Sequence, residues 1–300
     1  MTRKHFLKKL LQLSAVGALP FLYSWQIEPF WVEFVERKLP IKNLPEHLEG
    51  KILMQISDLH VGNRFDWNFL IESFQKAKHF NSDFVVYTGD YVNHGTSEDH
   101  KNLRKVMENA VYGGLGTFGI LGNHDYGEYV TWPSQTAKDE NFEDIKKLYG
   151  QIGFSLLLNE HTFIERDGEK IAIVGVENWG HNFKQAGDLN KAAKNLTKED
   201  FKILMTHDPS HWDKIVQHDE KHFHLTLSGH THGMQFGVEI PGFFKWSLAQ
   251  YVYKQWAGLY ENAGRYIYVN RGFGFHAYPG RVGIMPEITV IELKRGVNVA

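Results

Sequence analysis

Five short phrases hold the residues whose types and spacing could do chemistry. They are Asp58-Leu59-His60, Gly89-Asp90, Gly122-Asn123-His124-Asp125, Thr206-His207-Asp208 and Gly229-His230-Thr231-His232-Gly233. Each follows an apolar run and offers oxygen or imidazole ligands, and none offers sulfur. Asp58 and His60 are two residues apart at the end of a run that reads as a strand. Side chains at i and i+2 share a face, so both could reach one ion while Leu59 turns to the core. His230 and His232 repeat the device, with Gly229 and Gly233 allowing a tight loop and a close backbone approach. Asp90 has two carboxylate oxygens and can bridge two cations, Asn123 supplies a neutral carbonyl oxygen, and His207 stands at a strand end as a monodentate ligand could. Each phrase alone is weak, because Gly-Asp after a strand is usually a turn and a lone His-x-His is usually structural. Their joint occurrence spells out a two-metal hydrolytic centre.

The elements that must position these phrases alternate. Ile52 to Ile56, Phe84 to Tyr87 and Thr117 to Leu121 read as buried strands. Trp67 to His79, Glu98 to Val111 and a stretch containing Asn141 to Tyr149 read as helices. The later half is richer in strands, with Ile171 to Val176, Lys202 to Met205, His224 to Leu227, Arg265 to Val269 and Glu287 to Leu293 as candidates. This βαβ alternation predicts an α/β fold. In such sheets ligand sites gather beyond the carboxyl ends of the strands, which is where the five phrases fall. No linker divides the body, so residues 51–300 are expected to form one domain, with residues 29–50 as a connecting segment and possible first strand.

The first 28 residues form a separate object. Thr2-Arg3-Lys4-His5-Phe6-Leu7-Lys8 is basic, and an uncharged stretch runs from Leu10 to Ile27 before Glu28. This is the layout of an export signal or an N-terminal membrane anchor, with the body on the extracytoplasmic face. The opening is similar to the twin-arginine signal pattern with Lys4 in place of the second arginine, and Sec export is the alternative. An amphipathic helix lying on the domain is the bland reading.

Composition sets outer limits. A net charge of −2 across 300 residues provides no global field to recruit nucleic acid, and the absence of cysteine excludes disulfides and thiolate metal sites. The 17 histidines prove nothing by their number. His94, His181 and His276 lie near motif loops or glycine-rich turns and read as structural or solvent-facing. Trp179 could shape a pocket or pack in the core. The run from Pro241 to Trp246, with the aromatics through Tyr260, could form a lipid-facing rim or pack inside.

With its phrases in this order the chain resembles the calcineurin-like metallophosphoesterases, whose pattern is Asp-x-His, Gly-Asp, Gly-Asn-His-Asp/Glu, a lone His and Gly-His-x-His. The resemblance covers most of Lys51 to Leu293. It is strongest to a bacterial membrane-associated branch, the YaeI/YkuE-like phosphodiesterases, on the basic-apolar N-terminus, Asn270-Arg271-Gly272-Phe273-Gly274 and the stretch from Arg281 to Ile288. Met234 departs from that branch where glycine is usual, as does Asn93 where aspartate is common. The resemblance implies a four-layer sandwich of two mixed β-sheets flanked by helices. It implies one metal on Asp58, His60, Asp90 and His232, and a second on Asp90, Asn123, His207 and His230, with Asp90 bridging. His124 would face the substrate as general acid or phosphate stabiliser, and Asp125 would orient it.

Two divalent ions, Mn, Fe, Zn or Co, suit this oxygen-nitrogen donor set. The expected chemistry is in-line attack on a phosphoester by a metal-bridging hydroxide. A phosphodiesterase is the leading activity; the substrate is a small phosphoester or a lipid-linked one. The alternatives are a pyrophosphate hydrolase of the UDP-2,3-diacylglucosamine type, a phosphomonoesterase, and a non-catalytic scaffold on the same fold. Arg271, Arg281 and Asn63 are candidates to hold the substrate phosphate, with Arg64 beside Asn63 at the entrance. Surface arginines and ordinary turn chemistry explain these four residues equally well.

Overall fold

The computed structural model describes residues 21–62, 67–166, 169–180, 183–240 and 243–296. Two mixed six-stranded sheets face each other. The first contains β1 (Glu33–Ile41), β2 (Ile52–Ile56), β3 (Phe84–Tyr87), β4 (Gly116–Gly119), β5 (Ser155–Leu156) and β14 (Glu287–Arg295), in the order β1-β14-β2-β3-β4-β5. The second contains β6 (Glu160–Arg166), β7 (Glu169–Gly175), β8 (Phe201–Met205), β9 (Leu225–Ser228), β12 (Gly258–Asn262) and β13 (Arg265–Val269), in the order β12-β13-β9-β8-β7-β6. A separate two-stranded ribbon pairs β10 (Gly237–Ile240) with β11 (Phe244–Ser247).

The side-chain period of two sorts the strands between layers. Leu53, Val86, Ile173, Ile203, Leu225 and Ile291 meet between the sheets. Their neighbours Met54 and Val85 turn outward, against Leu70 and Phe74 of α1 (Trp67–Ala77), Leu103 and Val106 of α2 (Ser97–Met107) and Ile145 of α3 (Gln135–Gln151). On the far side Val174, Leu204 and Ile267 pack against Leu189 and Ala192 of α4 (Leu189–Ala192) and Trp212 of α5 (Ser210–Lys214). The result is helices, sheet, sheet, helices, as the resemblance implies. Strands buried on both faces explain why the predicted ones read as unbroken apolar runs.

The segment from 29 to 50 is part of the domain, because its residues Glu33–Ile41 form the edge strand β1, parallel to β14 with Glu33 opposite Glu287. Residues 1–20 of the expected signal or anchor lie outside the described residues, as do Asn63, Arg64 and His181. Among the described residues no helix is long and apolar enough to cross a membrane.

Candidate metal centre

The parallel strands β2, β3 and β4 of one sheet and β8 and β9 of the other all end at the same edge of the sandwich, and every phrase begins there. The turns differ from simple strand continuation. Asp58, His60, Asp90, His230 and His232 all have left-handed backbone, with φ between 47° and 73°. Asp58 and His60 therefore converge through a kinked loop rather than through strand alternation, while His230 and His232 do not repeat that device but turn to different ligand groups. The loops hold one another: Asp58 N–H donates to Gly89 O and His60 N–H to Asp90 O, each at 3.0 Å. His230 N–H donates to Asp58 Oδ1 at 3.0 Å. Gly229 is required by proximity, since a Cβ there would lie 2.1 Å from Asp58 Oδ2.

Two trios of ligand atoms form side by side, Asp58 with His60 and His232, and Asp90 with His207 and His230. Within the first, His232 Nε2 lies 3.3 Å from Asp58 Oδ1 and 3.0 Å from His60 Nε2. Asp90 stands between the trios, its Oδ2 3.1 Å from His207 Nε2 and 3.6 Å from His60 Nε2. The atoms left without partners fit a cation. His207 donates from Nδ1 to Thr88 O at 2.7 Å, so its buried Nε2, 3.1 Å from Asp90 Oδ2, is a ligand atom aimed at the shared carboxylate. His230 engages Tyr253 Oη through Nε2 at 2.9 Å and keeps Nδ1 unpartnered. Asn123 donates from Nδ2 to Tyr129 Oη at 2.7 Å, which leaves its Oδ1 buried and unpartnered. Buried polar atoms are normally satisfied, so this concentration marks a site completed by something else.

The electrostatics agree. Burial, with His124 beside it, holds the His60 imidazole well below its ordinary value, and burial likewise lowers His230. Both rings are neutral near pH 7, the state a metal ligand needs. Burial would also lower His207, but the Asp90 and Asp58 carboxylates outweigh it and raise the imidazolium to about 10. Burial would raise Asp90, yet His207 and His124 hold its carboxyl well below the usual range. The pair attracts positive charge strongly, and a divalent cation supplies it without a proton.

His124 lines the mouth of the cavity, with its ring against His60, Tyr129 and His276. Its Nδ1 donates to Asn93 O at 2.6 Å, which directs Nε2 away from that bond. Asp125 does not orient this ring. Its Oδ2 accepts from Asp90 N and Gly122 N, each at 2.9 Å, and its Oδ1 from Tyr91 N at 2.9 Å and Val92 N at 3.3 Å. A buried carboxylate beside loops rich in unpaired N–H groups satisfies those first, so Asp125 clamps the Asp90 loop.

Arg271 and Arg281 do not line the cavity. Arg271 is held between Glu287 and Glu239. Arg281 is fully buried and donates to the carbonyls of Arg271, Gly272 and Gly274, fixing the turn whose Gly274 N–H donates to Asp58 O at 2.7 Å. Its guanidinium lies 3.3 Å from His232 Nδ1. The expected phosphate-holding arginines are thus supports of the loops beneath the site. Trp179 stacks on buried His211, a packing role.

Several lining residues were not singled out by sequence, among them Tyr129 and Phe183, and Tyr253 was covered only by the run of aromatics through Tyr260. Phe183 and Tyr253 meet His230 from distant parts of the chain, whereas Tyr129 follows Asn123 and His124 closely and touches both. His276 joins His60 and His124 as a further imidazole at the mouth. Gln235 places it, accepting from His276 N at 2.7 Å while its amide donates to Tyr278 O and Gly280 O.

A family model described as calcineurin-like phosphoesterase matches residues 52–234, a span that begins with β2 and contains every ligand phrase. The chain is 31% identical over 308 residues to the metallophosphoesterase YkuE of Bacillus subtilis, covering 98% of each. It is 26% identical to the phosphodiesterase YaeI of Escherichia coli, over 98% of this chain and 99% of that protein. It is 24% identical to the UDP-2,3-diacylglucosamine pyrophosphatase LpxG of Chlamydia muridarum, over 90% of this chain and 92% of that protein.

Proposed function

The chain belongs to the calcineurin-like phosphoesterases, hydrolases of phosphoester bonds, and on that premise we propose that it is a phosphodiesterase that works with two divalent cations. The observation that carries this reading is the pair of ligand trios meeting at Asp90. Asp58, His60, Asp90 and His232 would hold one ion, and Asp90, Asn123, His207 and His230 the other. Bound there, the cations would activate water and polarise the phosphoryl oxygens.

The protein's own residues do the rest. The loops anchored by Asp125 and Arg281 keep the ligands in place, so little reorganisation is needed when substrate arrives. Neutral His124, with Nδ1 bonded to Asn93 O, presents Nε2 as an acceptor; protonated, it presents a donor to a phosphoryl or leaving-group oxygen. Tyr129 and Tyr253 hold Asn123 and His230 by their hydroxyls and narrow the mouth with their rings.

A pyrophosphate linkage to a lipid is the second reading. It is favoured by the apolar residues Phe183 and Met234 at the rim and by the similarity to LpxG along nearly the whole chain. The N-terminal sequence supports display on the extracytoplasmic side of a membrane.

The test is turnover of aryl monoesters, aryl diesters and UDP-linked lipids by metal-reconstituted protein, for wild type and His124→Ala. The proposal expects diester hydrolysis. It expects His124→Ala to slow esters of poor leaving groups about 10²–10⁴-fold and activated aryl esters less. Equal losses for both would remove His124 as the leaving-group acid, and turnover of monoesters alone would remove the diesterase assignment.

A further inference from the structure

The β10–β11 ribbon is amphipathic in the wrong sense for water. Its register sets Val238 opposite Trp246, Glu239 opposite Lys245 and Ile240 opposite Phe244. Glu239 and Lys245 share the inward face, where Glu239 binds buried Arg271 and Lys245 donates to Ala257 O and to Tyr260 Oη at 2.9 Å. Val238, Ile240 and Phe244 share the other face and are exposed. A ribbon with one wet face normally buries its apolar set and solvates its charges. Here a partly buried ion pair, Glu239 with Arg271, fixes the ribbon so that the apolar set looks outward. Phe243, next to it, is 86% exposed, and Tyr251 beyond β11 is 74% exposed.

A second apolar element lies beside the first. Residues 21–26 are helical, and Phe21, Leu22, Trp25 and Ile27 are exposed. The strip 281–283 joins the two elements. Val282 pairs in parallel with Phe236 and bonds to Gln235 O and Gly237 N, while Arg281 N donates to Ser24 O and Gly283 N to Glu28 Oε2. Alternate residues of an extended strip bond to opposite sides, so ribbon and helix flank it within about 10 Å of each other. Apolar patches larger than a few hundred Å² mark interaction sites.

The chain leading to this face names the occupant. Arg3, Lys4, Lys8 and Lys9 are followed by no charged residue until Glu28. A basic cluster and an apolar run entering the patch at Phe21 suit an anionic lipid surface, with its headgroups for the one and its acyl boundary for the other. The rim of the metal site continues the face. Met234 and Tyr253 line the cavity, and their neighbours Phe236 and Val252 are exposed. The cavity holds about 230 Å³, below the ordinary range of ligand pockets, so a lipid-sized substrate would extend beyond it onto the rim.

We propose that residues 21–31, the β10–β11 ribbon and the turn through Val252 lie on a lipid bilayer, and that the substrate is an amphiphilic phosphoester reached from that surface. The second half rests on the phosphoester reading of the metal site.

The absence of cysteine makes the test direct. Single cysteines at Val238, Phe244 and Tyr251 in the full chain carry an environment-sensitive fluorophore. A control cysteine replaces Lys198, at the opposite end of β8 from His207. Vesicles of phosphatidylcholine with a quarter phosphatidylglycerol should shift the first three labels to the blue and leave the control unchanged. Labels that stay water-like on vesicle-bound protein would overturn the face. So would a blue shift without vesicles that grows with protein concentration, since a second copy would then cover it.

Ile240→Ser with Phe244→Ser should reduce turnover of a vesicle-borne phosphoester on the order of tenfold or more and leave soluble bis(p-nitrophenyl) phosphate unaffected. Equal loss on both substrates would make the ribbon structural and overturn the substrate half. Blue-shifted labels on a protein that hydrolyses no phosphoester would sustain the face and overturn the reading of the site.

Discussion

Asp125→Asn separates two roles that the Asn-His-Asp spacing leaves confounded. The carboxylate is fully buried and accepts four backbone N–H groups, from Asp90, Gly122, Tyr91 and Val92. Asparagine keeps one oxygen, and its amide group faces two of those donors. Burial and the neighbouring Asp90 carboxylate push the Asp125 carboxyl up to about 8, so the cost is set by the donors: two buried N–H groups left without an acceptor cost about 1–3 kcal/mol each, a gross cost of about 2–6 kcal/mol. The Asp90 loop can relax toward other partners, and a net destabilisation of about 3 kcal/mol is expected. That loop presents the carboxylate shared by both ligand trios, so metal affinity should fall about 10–100-fold, the usual effect of losing an outer support. Denaturant unfolding of chelated protein measures the first quantity. Titration of apoprotein in buffered free metal, read by competition with a chromophoric chelator, measures the second. At saturating metal the variant should keep the wild-type ratio of rates for good and poor leaving groups, because Asp125 makes no bond to the His124 ring. Unchanged metal affinity with an altered leaving-group ratio would refute the clamp and restore Asp125 as the partner of His124.

Three further outcomes follow from the same geometry. Asp90→Ala should lose metal from both positions and abolish activity, whereas Asp58→Ala should lose it mainly from one; metal analysis after gel filtration decides, and full occupancy in Asp90→Ala would contradict the shared position. Gly229→Ala would force its Cβ to within 2.1 Å of both Asp58 Oδ2 and Ser57 Oγ, so Asp58 must move and metal binding should weaken at least tenfold; wild-type binding would show that the loop yields freely. Burial lowers the His211 imidazole to about 3, so the folded state binds fewer protons than the unfolded chain below pH 6.5. Its share of stability is present above pH 6.5 and lost as pH falls toward 3, about 2 kcal/mol by pH 5, and a denaturation series with His211→Gln should flatten that part of the profile.

Most of the site could be read in the chain because metal ligands must end strands, and strands buried on both faces announce themselves as apolar runs. Ile52–Ile56, Phe84–Tyr87 and Arg265–Val269 have the expected bounds for that reason. The edge strand β1 was legible only as a possibility, because its pattern mixes exposed charges such as Glu36 and Arg37 with half-buried Val35. β10, β11 and β12 were not legible as strands, since one face of the ribbon is inverted and β12 is largely exposed. Long-range partners were beyond reach altogether. Nothing near Arg271 in sequence announces Glu239, 32 positions away, and nothing beside Asp125 distinguishes a clamp on backbone N–H groups from a partner for His124.

The left-handed residues explain why so much of the fold is spent on bracing. Asp58, His60, Asp90, His230 and His232 would adopt their φ values cheaply as glycine, but glycine carries no ligand. Each costs of order 1–3 kcal/mol, and five together approach the whole stability of an ordinary domain. Such strain persists only where the surroundings over-determine it, which is the work of Asp125 under one loop and of Arg281 with the 272–274 turn under the other. Gln235 has φ 54° and a comparable reason, because its amide ties the loop that carries His276. Met234 has φ 48° and neither reason: it is not a ligand and braces no loop. Its side chain lines the mouth and is exposed beside Phe236, where the metal site meets the apolar face. A long apolar side chain held there against backbone preference is consistent with a mouth shaped to receive the apolar part of its substrate.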